Sequence, residues 1–334
     1  MKKANIPVFV AHKGCPNDCV FCNQRRITGT DGTMDGKKCE AIIKEWIDYI
    51  SGEAEIAFFG GSFTAIDRKT MTGLLQAAYK YVQNGSFKGI RCSTRPDAID
   101  DEICSILREY GVTAVELGAQ SMNDEVLRIN RRGHTSEDVV KASKMLKSYG
   151  FELGLQMMTG LYGSTDEDSV ETAEKIISLQ PDTVRIYPTV VIKNTELEEL
   201  YRSGKYVPQT VDSAAELCAR LLLMFDRAKI NVIRTGLHSG GGVEKDYVAG
   251  AYHPAFKEIC EGKIYLNKAV EYIEKNGLQH GKIEIHVSPD AISKMTGQKR
   301  TNIKRLAELG YDAKITVDKE MGKYQLYIIR NEEL

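Results

Sequence analysis

The chain has 334 residues, of which 42% are hydrophobic and 27% charged, as in an ordinary globular protein. Its net charge of −1 excludes a global attraction to nucleic acid or to an anionic membrane, so any polyanion site must be a local patch. No apolar run approaches the ~18 residues of a membrane span, and the N-terminus lacks the apolar region of a signal peptide. Eight cysteines are too few for a disulfide scaffold and indicate reduced thiols or metal ligands, so we expect a cytoplasmic protein without membrane contact.

Short β-rich runs alternate with stretches of helical period from residue 4 to about residue 235. Six runs are readable, at residues 6–11, 55–59, 89–93, 113–117, 152–158 and 183–188. Between them Asp100, Ser136 and Thr165 can begin helices, and Gly111 and Gly150 can end them. Strand–helix units predict parallel strands, and polar motifs directly after those strands favour a barrel. Since six units are too few to close one, we expect an α/β fold, an open partial (β/α)6 barrel over residues 1–235.

Residues 236–280 interrupt the alternation with a glycine-rich stretch, and we expect a loop and a helical connection there. Residues 281–334 predict a small α+β domain with the order strand, helix, turn, helix, strand, strand. This layout resembles a KH domain, in which a Gly-x-x-Gly turn between two helices clamps a nucleic-acid backbone. The turn here begins with Gly297, and Arg300 stands at the position of the second glycine.

The segment around this turn carries basic side chains and no acidic one. Its basic residues are Lys294, Lys299, Arg300, Lys304 and Arg305. Such a patch on a chain of balanced charge predicts a phosphate contact and therefore RNA binding. The alternative is a solvated helix face on a domain that only closes the open side of the barrel.

Three cysteines follow the first strand with the spacing C-x3-C-x2-C, at Cys15, Cys19 and Cys22. Three thiolates this close can converge on one metal centre, and no fourth Cys or His follows at a suitable spacing. A cubane cluster on three cysteines leaves one iron open to a substrate. The alternatives are a zinc site with a distant fourth ligand and three unconnected buried thiols. The remaining cysteines lie in apolar patterns and are expected in the core: Cys39, Cys92, Cys104, Cys218 and Cys260.

The cysteine spacing, with the aromatic Phe21 before the last thiol, resembles the signature of the radical S-adenosylmethionine (SAM) superfamily. The segment FFGGSFT at residues 58–64 is similar to that family's glycine motif, which holds the methionine amino group of SAM. Segments at 94–97, 116–121, 132–134 and 185–189 occur in the order found in the radical domain of the Elongator catalytic subunit, a tRNA-modifying enzyme. They are more distantly similar to oxygen-independent coproporphyrinogen oxidase.

The resemblance implies a [4Fe–4S] cluster on the three cysteines and an external electron donor. It implies reductive cleavage of SAM to methionine and a 5′-deoxyadenosyl radical, with RNA, foremost tRNA, as the substrate. Gln120 would contact the nucleoside of SAM, and Arg132 its carboxylate. The full set of implied SAM-binding residues is Phe21, Gly60, Gly61, Ser62, Gln120 and Arg132.

Departures from the family pattern leave alternatives open. Ser93 stands where relatives often have Glu, and Gln156 where the porphyrin enzymes often have Asp, so ribose must be held differently. Elongator-type cysteines are spaced more widely, and no acetyltransferase segment follows here, so acetyl transfer is not implied. Three hypotheses remain: an RNA-modifying radical enzyme, a radical enzyme acting on a small molecule or tetrapyrrole, and a non-catalytic metal-binding protein that binds RNA.

Overall fold

The computed structural model describes residues 5–10, 19–22, 34–50, 52–237 and 243–330. Its strands in these ranges are β1 (Asn5–Val10), β2 (Gly52–Gly60), β3 (Phe87–Thr94), β4 (Val112–Gln120), β5 (Glu152–Thr159), β6 (Thr183–Pro188), β7 (Val190–Ile192), β8 (Asn231–Thr235), β9 (Tyr247–Gly250), β10 (Gly281–Val287), β11 (Tyr311–Val317) and β12 (Leu326–Arg330). Its α-helices there are α1 (Gly36–Ile47), α2 (Arg68–Gln83), α3 (Asp101–Glu109), α4 (Asp124–Ile129), α5 (Ser136–Ser148), α6 (Asp166–Ser178), α7 (Glu196–Arg202), α8 (Val211–Arg227), α9 (Val243–Asp246), α10 (Phe256–Lys275), α11 (Ile292–Thr296) and α12 (Thr301–Glu308).

The main sheet is a curled half-barrel of parallel strands in the order β1-β2-β3-β4-β5-β6-β8. The open barrel and all six expected strands are confirmed. The edge strand β8 is a seventh that the sequence pattern did not reveal, because its residues alternate between exposed and half-buried and form no apolar run. Since parallel strands end at the same edge, the loops after β1 to β6 meet on one face.

Helix boundaries follow local capping signals. The carboxylate of Asp100 accepts a hydrogen bond from Ile103 N at 2.7 Å and begins α3. Thr165 begins α6 with a reciprocal capping box. The cap of α5 is Thr135, so the expected cap Ser136 is instead the first helical residue. The left-handed φ of 68° at Gly111 supports the expected end of α3, since glycine adopts it without a steric penalty.

The connection at 236–280 contains more than the expected loop and helix. Strand β9 within it pairs antiparallel with β7. The long helix α10 packs along α8, and Cys218 and Cys260, one from each helix, are fully buried. Cys39, Cys92 and Cys104 are likewise fully buried, which confirms the core location expected for all five cysteines.

The C-terminal unit has the expected element order, and its sheet runs β11-β10-β12. Strand β10 is parallel to β11 and antiparallel to β12. The apolar side of this sheet belongs to the same buried cluster as the half-barrel. Helix α10 provides the junction, where the Tyr265 hydroxyl accepts a hydrogen bond from Tyr324 N at 3.0 Å.

A buried ion network crosses the inner face of the half-barrel. Arg91 on β3 donates from Nε to Glu55 Oε2 at 3.0 Å and from Nη2 to Glu152 Oε1 at 2.8 Å. Arg185 on β6 donates to both oxygens of Glu116 on β4, at 2.7 and 2.9 Å. Glu116 also lies 3.4 Å from Arg91 Nη1, so its carboxylate joins the two arginines.

The arginines keep Glu116 ionised in spite of its position. Burial raises the pKa of this carboxyl, but the hydrogen bond from Arg185 and the charges of Arg185 and Arg91 outweigh burial and lower the pKa below its ordinary value. The network therefore stays charged at neutral pH. It ties together the strands from β2, which carries Glu55, to β6, which carries Arg185.

Removing the Glu116 charge should destabilise the protein. Glu116→Gln takes from Arg185 the carboxylate with which it pairs, whereas Arg91 keeps Glu55 and Glu152, and we expect a loss of about 3 kcal/mol in the free energy of unfolding. Urea unfolding at pH 7 measures the loss. The matched control is Glu152→Gln, because the Glu152 side chain is 23% exposed and should lose clearly less. Equal losses in the two variants would contradict the central role of Glu116.

Candidate active site

The cysteine loop follows β1, at the end of the half-barrel where the strands terminate. Cys15 lies outside the described residues, whereas Cys19 and Cys22 lie within them. A backbone hydrogen bond of 2.9 Å from Cys22 N to Cys19 O closes a turn that brings these two residues together. The Cys19 thiol is buried and that of Cys22 is half-buried.

Two distant segments hold this turn. Val20 N donates to Asn130 O at 3.3 Å, and Val20 O accepts from Leu197 N at 2.9 Å. The Val20 side chain is buried against Leu197 and Tyr206, and Phe21 packs on the same small apolar cluster. No sequence signal indicated this support, because Leu197 is an ordinary apolar position in the first turn of α7. The predicted contact of Phe21 with SAM stays a prediction.

Arg132 lies directly against the cysteine loop. Its Nη1 is 3.2 Å from Cys19 Sγ, and its Nη2 donates to Gly118 O on β4 at 2.9 Å. The backbone oxygen of Arg132 accepts from Arg95 Nη2 at 2.5 Å. The buried guanidinium places positive charge beside Cys19 Sγ, so Arg132 suits an anionic metal centre as well as the predicted SAM carboxylate.

His134 fixes the end of β4. Its Nε2 is 3.2 Å from Ala119 O, which makes Nε2 the protonated nitrogen of a neutral ring. Burial, reinforced by the charge of Arg132, lowers the pKa of His134 to about 4. Gln120, the residue after Ala119, adopts a left-handed φ of 64° at a bulge in the β4–β5 pairing. The imidazole thus supports the turn that directs Gln120.

The glycine motif follows β2. Gly60 has a φ of 114°, and a Cβ there would lie 2.4 Å from Val10 O, so only glycine fits this approach to the strand before the cysteine loop. Ser62 is buried, and its hydroxyl pairs with Thr94 Oγ1 at 2.8 Å and accepts from Arg95 N at 3.1 Å. The Ser62 side chain therefore joins the ends of β2 and β3. Any contact of Gly61 or Ser62 with SAM falls to the backbone and stays a prediction.

Three buried polar atoms at the ends of β3 and β4 have no hydrogen-bond partner within the described ranges: Ser93 Oγ, Arg95 Nη1 and Gln120 Oε1. Buried polar atoms are normally paired, so this group fits a polar ligand that completes their hydrogen bonds. Gly118 leaves room for the Gln120 and Arg132 side chains, because a Cβ there would lie 2.9 Å from Gln120 Nε2 and 3.4 Å from Arg132 Nη2. The arrangement agrees with the nucleoside contact predicted for Gln120.

Gln156, considered above for a ribose contact, belongs to the buried ion network. Its Nε2 donates to Glu116 Oε2 at 3.1 Å. An aspartate at this position would place a second carboxylate beside Glu116, so the ion network explains why an amide stands here. Ser93 Oγ, on β3, is buried without a hydrogen-bond partner among the described residues, so of the two departures it is the one open to a ligand contact.

The basic C-terminal residues lie on another part of the molecule and divide into two groups. Lys294 pairs with Glu261 of α10 at 3.2 Å, and Arg305 pairs with Glu308 at 2.9 Å. The structure thus adds two acidic neighbours that the acid-free segment did not reveal. Lys299, Arg300 and Lys304 have no carboxylate within 4.0 Å in the described part of the chain. No described helix is both long and apolar enough to cross a membrane.

Comparison with known proteins identifies the class. A model of the radical SAM superfamily matches residues 10–176, and a model of the radical SAM C-terminal domain matches residues 181–265. The chain therefore belongs to the radical SAM superfamily. The [4Fe–4S] cluster and SAM are the cofactors of this superfamily. Cys19, Cys22 and the orphaned polar atoms above β3 and β4 fit them.

The similar proteins narrow the branch. A tRNA uridine(34) acetyltransferase of Methanocaldococcus jannaschii is 31% identical over 256 residues, 64% of this chain and 47% of that protein. Human Elongator complex protein 3 is 31% identical over 189 residues, 55% of this chain and 33% of that protein. The chain thus spans half or less of the length of these relatives. The solved structure of Methanocaldococcus infernus Elp3 with an N-terminal deletion has the same fold, at 23% identity and a TM-score of 0.61, covering 83% of this chain and 63% of that one. The expected Elongator-like resemblance is confirmed.

The cluster ligands can be tested by substitution. After anaerobic reconstitution we expect about four irons and four sulfides per chain. Cys15→Ala, Cys19→Ala and Cys22→Ala should each lose the cluster. Cys39→Ala and Cys104→Ala are matched controls that should retain it, because both thiols are fully buried in the core. Iron and sulfide analysis measures the result, and tetrahedral zinc with no iron would contradict it.

His134 should make stability depend on pH. Because its pKa is lowered in the folded state, the unfolded chain binds the extra proton first, and stability is lost as the pH falls below about 6.5 towards 4. The expected loss between pH 7 and pH 5 is about 2 kcal/mol. His134→Gln keeps a donor for Ala119 O but does not titrate, so this part of the loss should vanish. Parallel unfolding curves at the two pH values compare the proteins, and identical pH dependence would contradict the assignment.

Proposed function

We propose that this chain is a radical SAM enzyme that modifies tRNA. The observation that carries the proposal is the 31% identity over 256 residues to a protein named tRNA uridine(34) acetyltransferase. The matched region is less than half of that relative, so the substrate is proposed here and the transferred group is left unspecified. An external electron donor is part of the same proposal, since the superfamily's cluster must be reduced.

When bound, the cluster supplies the electron that breaks the C5′–S bond of SAM and yields a 5′-deoxyadenosyl radical. Cys15, Cys19 and Cys22 would hold the cluster. Arg132 would stabilise the negative charge of the thiolates and of the SAM carboxylate, since it reaches Cys19 Sγ from a position set by β4. Gln120 and Ser93 would orient the nucleoside through their buried polar atoms.

The interior of the half-barrel would exclude water below the ligand. Glu116, Arg91 and Arg185 fill that space with paired charges and leave it closed towards the amino ends of the strands. A radical formed above them would therefore face the carboxyl ends of the strands and the open edge of the sheet. A large substrate can approach from there without entering the barrel entirely.

The C-terminal turn supports an RNA contact. Lys299 and Arg300 both adopt left-handed backbone conformations, with φ of 53° and 62°, a costly arrangement for residues other than glycine. The turn is anchored from below by the buried Asn302, whose Nδ2 donates to Gly262 O at 2.9 Å and to Lys294 O at 3.1 Å. Two exposed cations are thus held on a rigid turn, where phosphate contacts cost little ordering entropy.

Two ion pairs reduce the number of basic residues for which we propose RNA contacts. Lys294 and Arg305 are engaged with Glu261 and Glu308, so their charges are partly compensated. Lys299, Arg300 and Lys304 are the residues for which we propose direct phosphate contacts, with Gly297 shaping the turn. A Cβ on Gly297 would lie 2.7 Å from Asn302 N, so the turn requires glycine there.

A radical enzyme acting on a small molecule or tetrapyrrole is the second candidate. It is favoured by the apolar core, which runs without interruption from the half-barrel through α10 into the C-terminal sheet. A unit packed in this way can serve to stabilise the edge of the barrel. The two candidates differ in what the basic turn contacts, and RNA binding separates them.

Charge reversal at the turn tests the tRNA proposal. Lys299→Glu with Arg300→Glu should weaken binding of labelled tRNA and reduce its salt dependence, with a slope change of about 0.7 to 0.9 per lost phosphate contact. Titration at two salt concentrations measures both quantities. The matched control, Lys69→Glu with Lys144→Glu on outer helices, changes the net charge equally and should bind like the wild type. Weak, salt-insensitive binding in all three proteins would favour the small-molecule candidate.

A further inference from the structure

The open edge of the half-barrel carries a cation that faces the interior. Arg234 on the edge strand β8 is the register partner of Arg185 on β6, so both side chains lie on the inner face of the sheet. Arg185 is neutralised by Glu116. Arg234 has no carboxylate within 4.0 Å among the described residues. Burial lowers the pKa of Arg234, Tyr187 opposes this shift, and the charge of Arg185 adds to it.

A second cation lies beside it on the first turn of α10. Lys257 is half-buried, and its Nζ donates to Val232 O of β8 at 3.1 Å. Burial lowers its pKa, Glu261 opposes that effect, and repulsion from Lys323, Lys294 and Arg234 adds to it. Geometry places the other basic side chains near Lys257. Glu261, one helical turn after Lys257 on α10, pairs with Lys294 at 3.2 Å and accepts a hydrogen bond from the Tyr324 hydroxyl at 3.1 Å, and Lys323 Nζ lies 4.5 Å from the centroid of the Tyr324 ring. Arg234 is two residues beyond Val232, which Lys257 contacts, so the four basic side chains lie close together at the edge of the barrel. We call Arg234, Lys257, Lys294 and Lys323 the edge strip.

The edge strip carries surplus positive charge. Its two outer members are paired, Lys294 with Glu261 at 3.2 Å and Lys323 with Asp226 at 2.8 Å. Its inner members, Arg234 and Lys257, lie nearer to the interior and have no carboxylate within 4.0 Å in the ranges that the structure describes. Positive charge is thus least compensated where the strip meets the mouth of the half-barrel, and an anion bound there would relieve the repulsion.

The edge strip is joined rigidly to the basic turn. Gly262 of α10 contacts the turn through Asn302, and Lys257 lies five residues earlier on the same helix, roughly 8 Å along its axis. A Cβ on Gly262 would lie 3.2 Å from Lys294 O, so helix and turn are closely packed. Positive side chains therefore follow one another from Lys299 and Arg300, past Lys294 and Lys257, to Arg234.

We propose that the edge strip binds the phosphate backbone of the RNA substrate and leads it from the C-terminal turn to the mouth of the half-barrel. This inference rests on the proposed function and adds the path between its two parts. A path of several cations in sequence fits an extended polyanion better than a single small anion. It also gives the lone Arg234 a partner, a phosphate next to the reacting nucleotide.

Removing the two inner charges tests the path. Arg234→Gln with Lys257→Gln should lower the salt slope for labelled tRNA by about 0.7 to 0.9 per lost contact. For each lost contact, a fourfold rise in salt should then reduce the affinity of the variant about threefold less than it reduces the affinity of the wild type. The matched control is Lys263→Gln on the same helix, whose Nζ pairs with Asp212 at 2.6 Å, and it should retain the wild-type slope. Arg234→Lys with Lys257→Arg keeps both charges and should also retain that slope.

A loss of fold is separable from a loss of contact. Thermal unfolding and the iron content of the reconstituted protein should be unchanged in the Gln variants. Arg234→Gln alone leaves the Lys257 hydrogen bond to Val232 intact and should still lower the slope if the double variant proves unstable. A wild-type slope in folded Arg234→Gln overturns the proposed path.

The outcome also distinguishes the path from the proposed function. If reversal at Lys299 and Arg300 lowers the slope but the edge variants do not, tRNA binding stands and the path is wrong. If tRNA binding is weak and salt-insensitive and neither the turn variants nor the edge-strip variants change it, tRNA is not the substrate and the proposed path is also wrong. Additive slope changes in the combined variant would support one continuous backbone contact.

Discussion

The carboxylate of Glu116 is the constraint on which the half-barrel depends. It lies between Arg91 on the neighbouring strand β3 and Arg185 on β6, two strands away, and accepts a further hydrogen bond from Gln156 on the intervening strand β5. Charges buried in this way are tolerated only when paired and hydrogen-bonded, so each inner-face position of β3 to β6 is restricted by the others. The network occupies the inner face with paired charges. The candidate site residues lie beyond it, at the carboxyl ends of the strands.

The main elements of the fold were predictable because the sequence signals for them lie within each element or a few residues from it. The apolar runs of β1 to β6 are buried on one or both faces, and caps such as Asp100 act within three residues. Strand β8 was missed because an edge strand with an arginine on its inner face has no apolar pattern. The pair β7 and β9 was missed because its strands are three and four residues long and find each other across more than fifty residues.

The residues of the site also fall into two groups, those with a local sequence signal and those that depend on contacts between distant segments. The cysteine spacing, Gly60 and the Arg132–His134 motif are local, and they were identified from the sequence. The support of Val20 by Asn130 and Leu197 depends on contacts between distant segments. Ser62 was assigned to SAM, but its hydroxyl is engaged by Thr94 and Arg95 N, and only the register of β2 and β3 reveals this. Likewise, Lys294 looks unpaired in sequence because Glu261 lies more than thirty residues away.

The cysteine loop connects both halves of the chain. Val20 is held on one side by Asn130, just before Arg132, and on the other by Leu197 in the region matched by the C-terminal domain model. Arg132 itself contacts Cys19 Sγ. A displacement of α7 would therefore move the thiols relative to Arg132 without any change in the ligands themselves. Val190 and Val191 of β7, just before α7, pair with β9. Strand β9 is followed in the chain by α10, the helix that carries Lys257. The segment that supports the cysteine loop is therefore joined, through β7 and β9, to the helix along which we propose the substrate contacts.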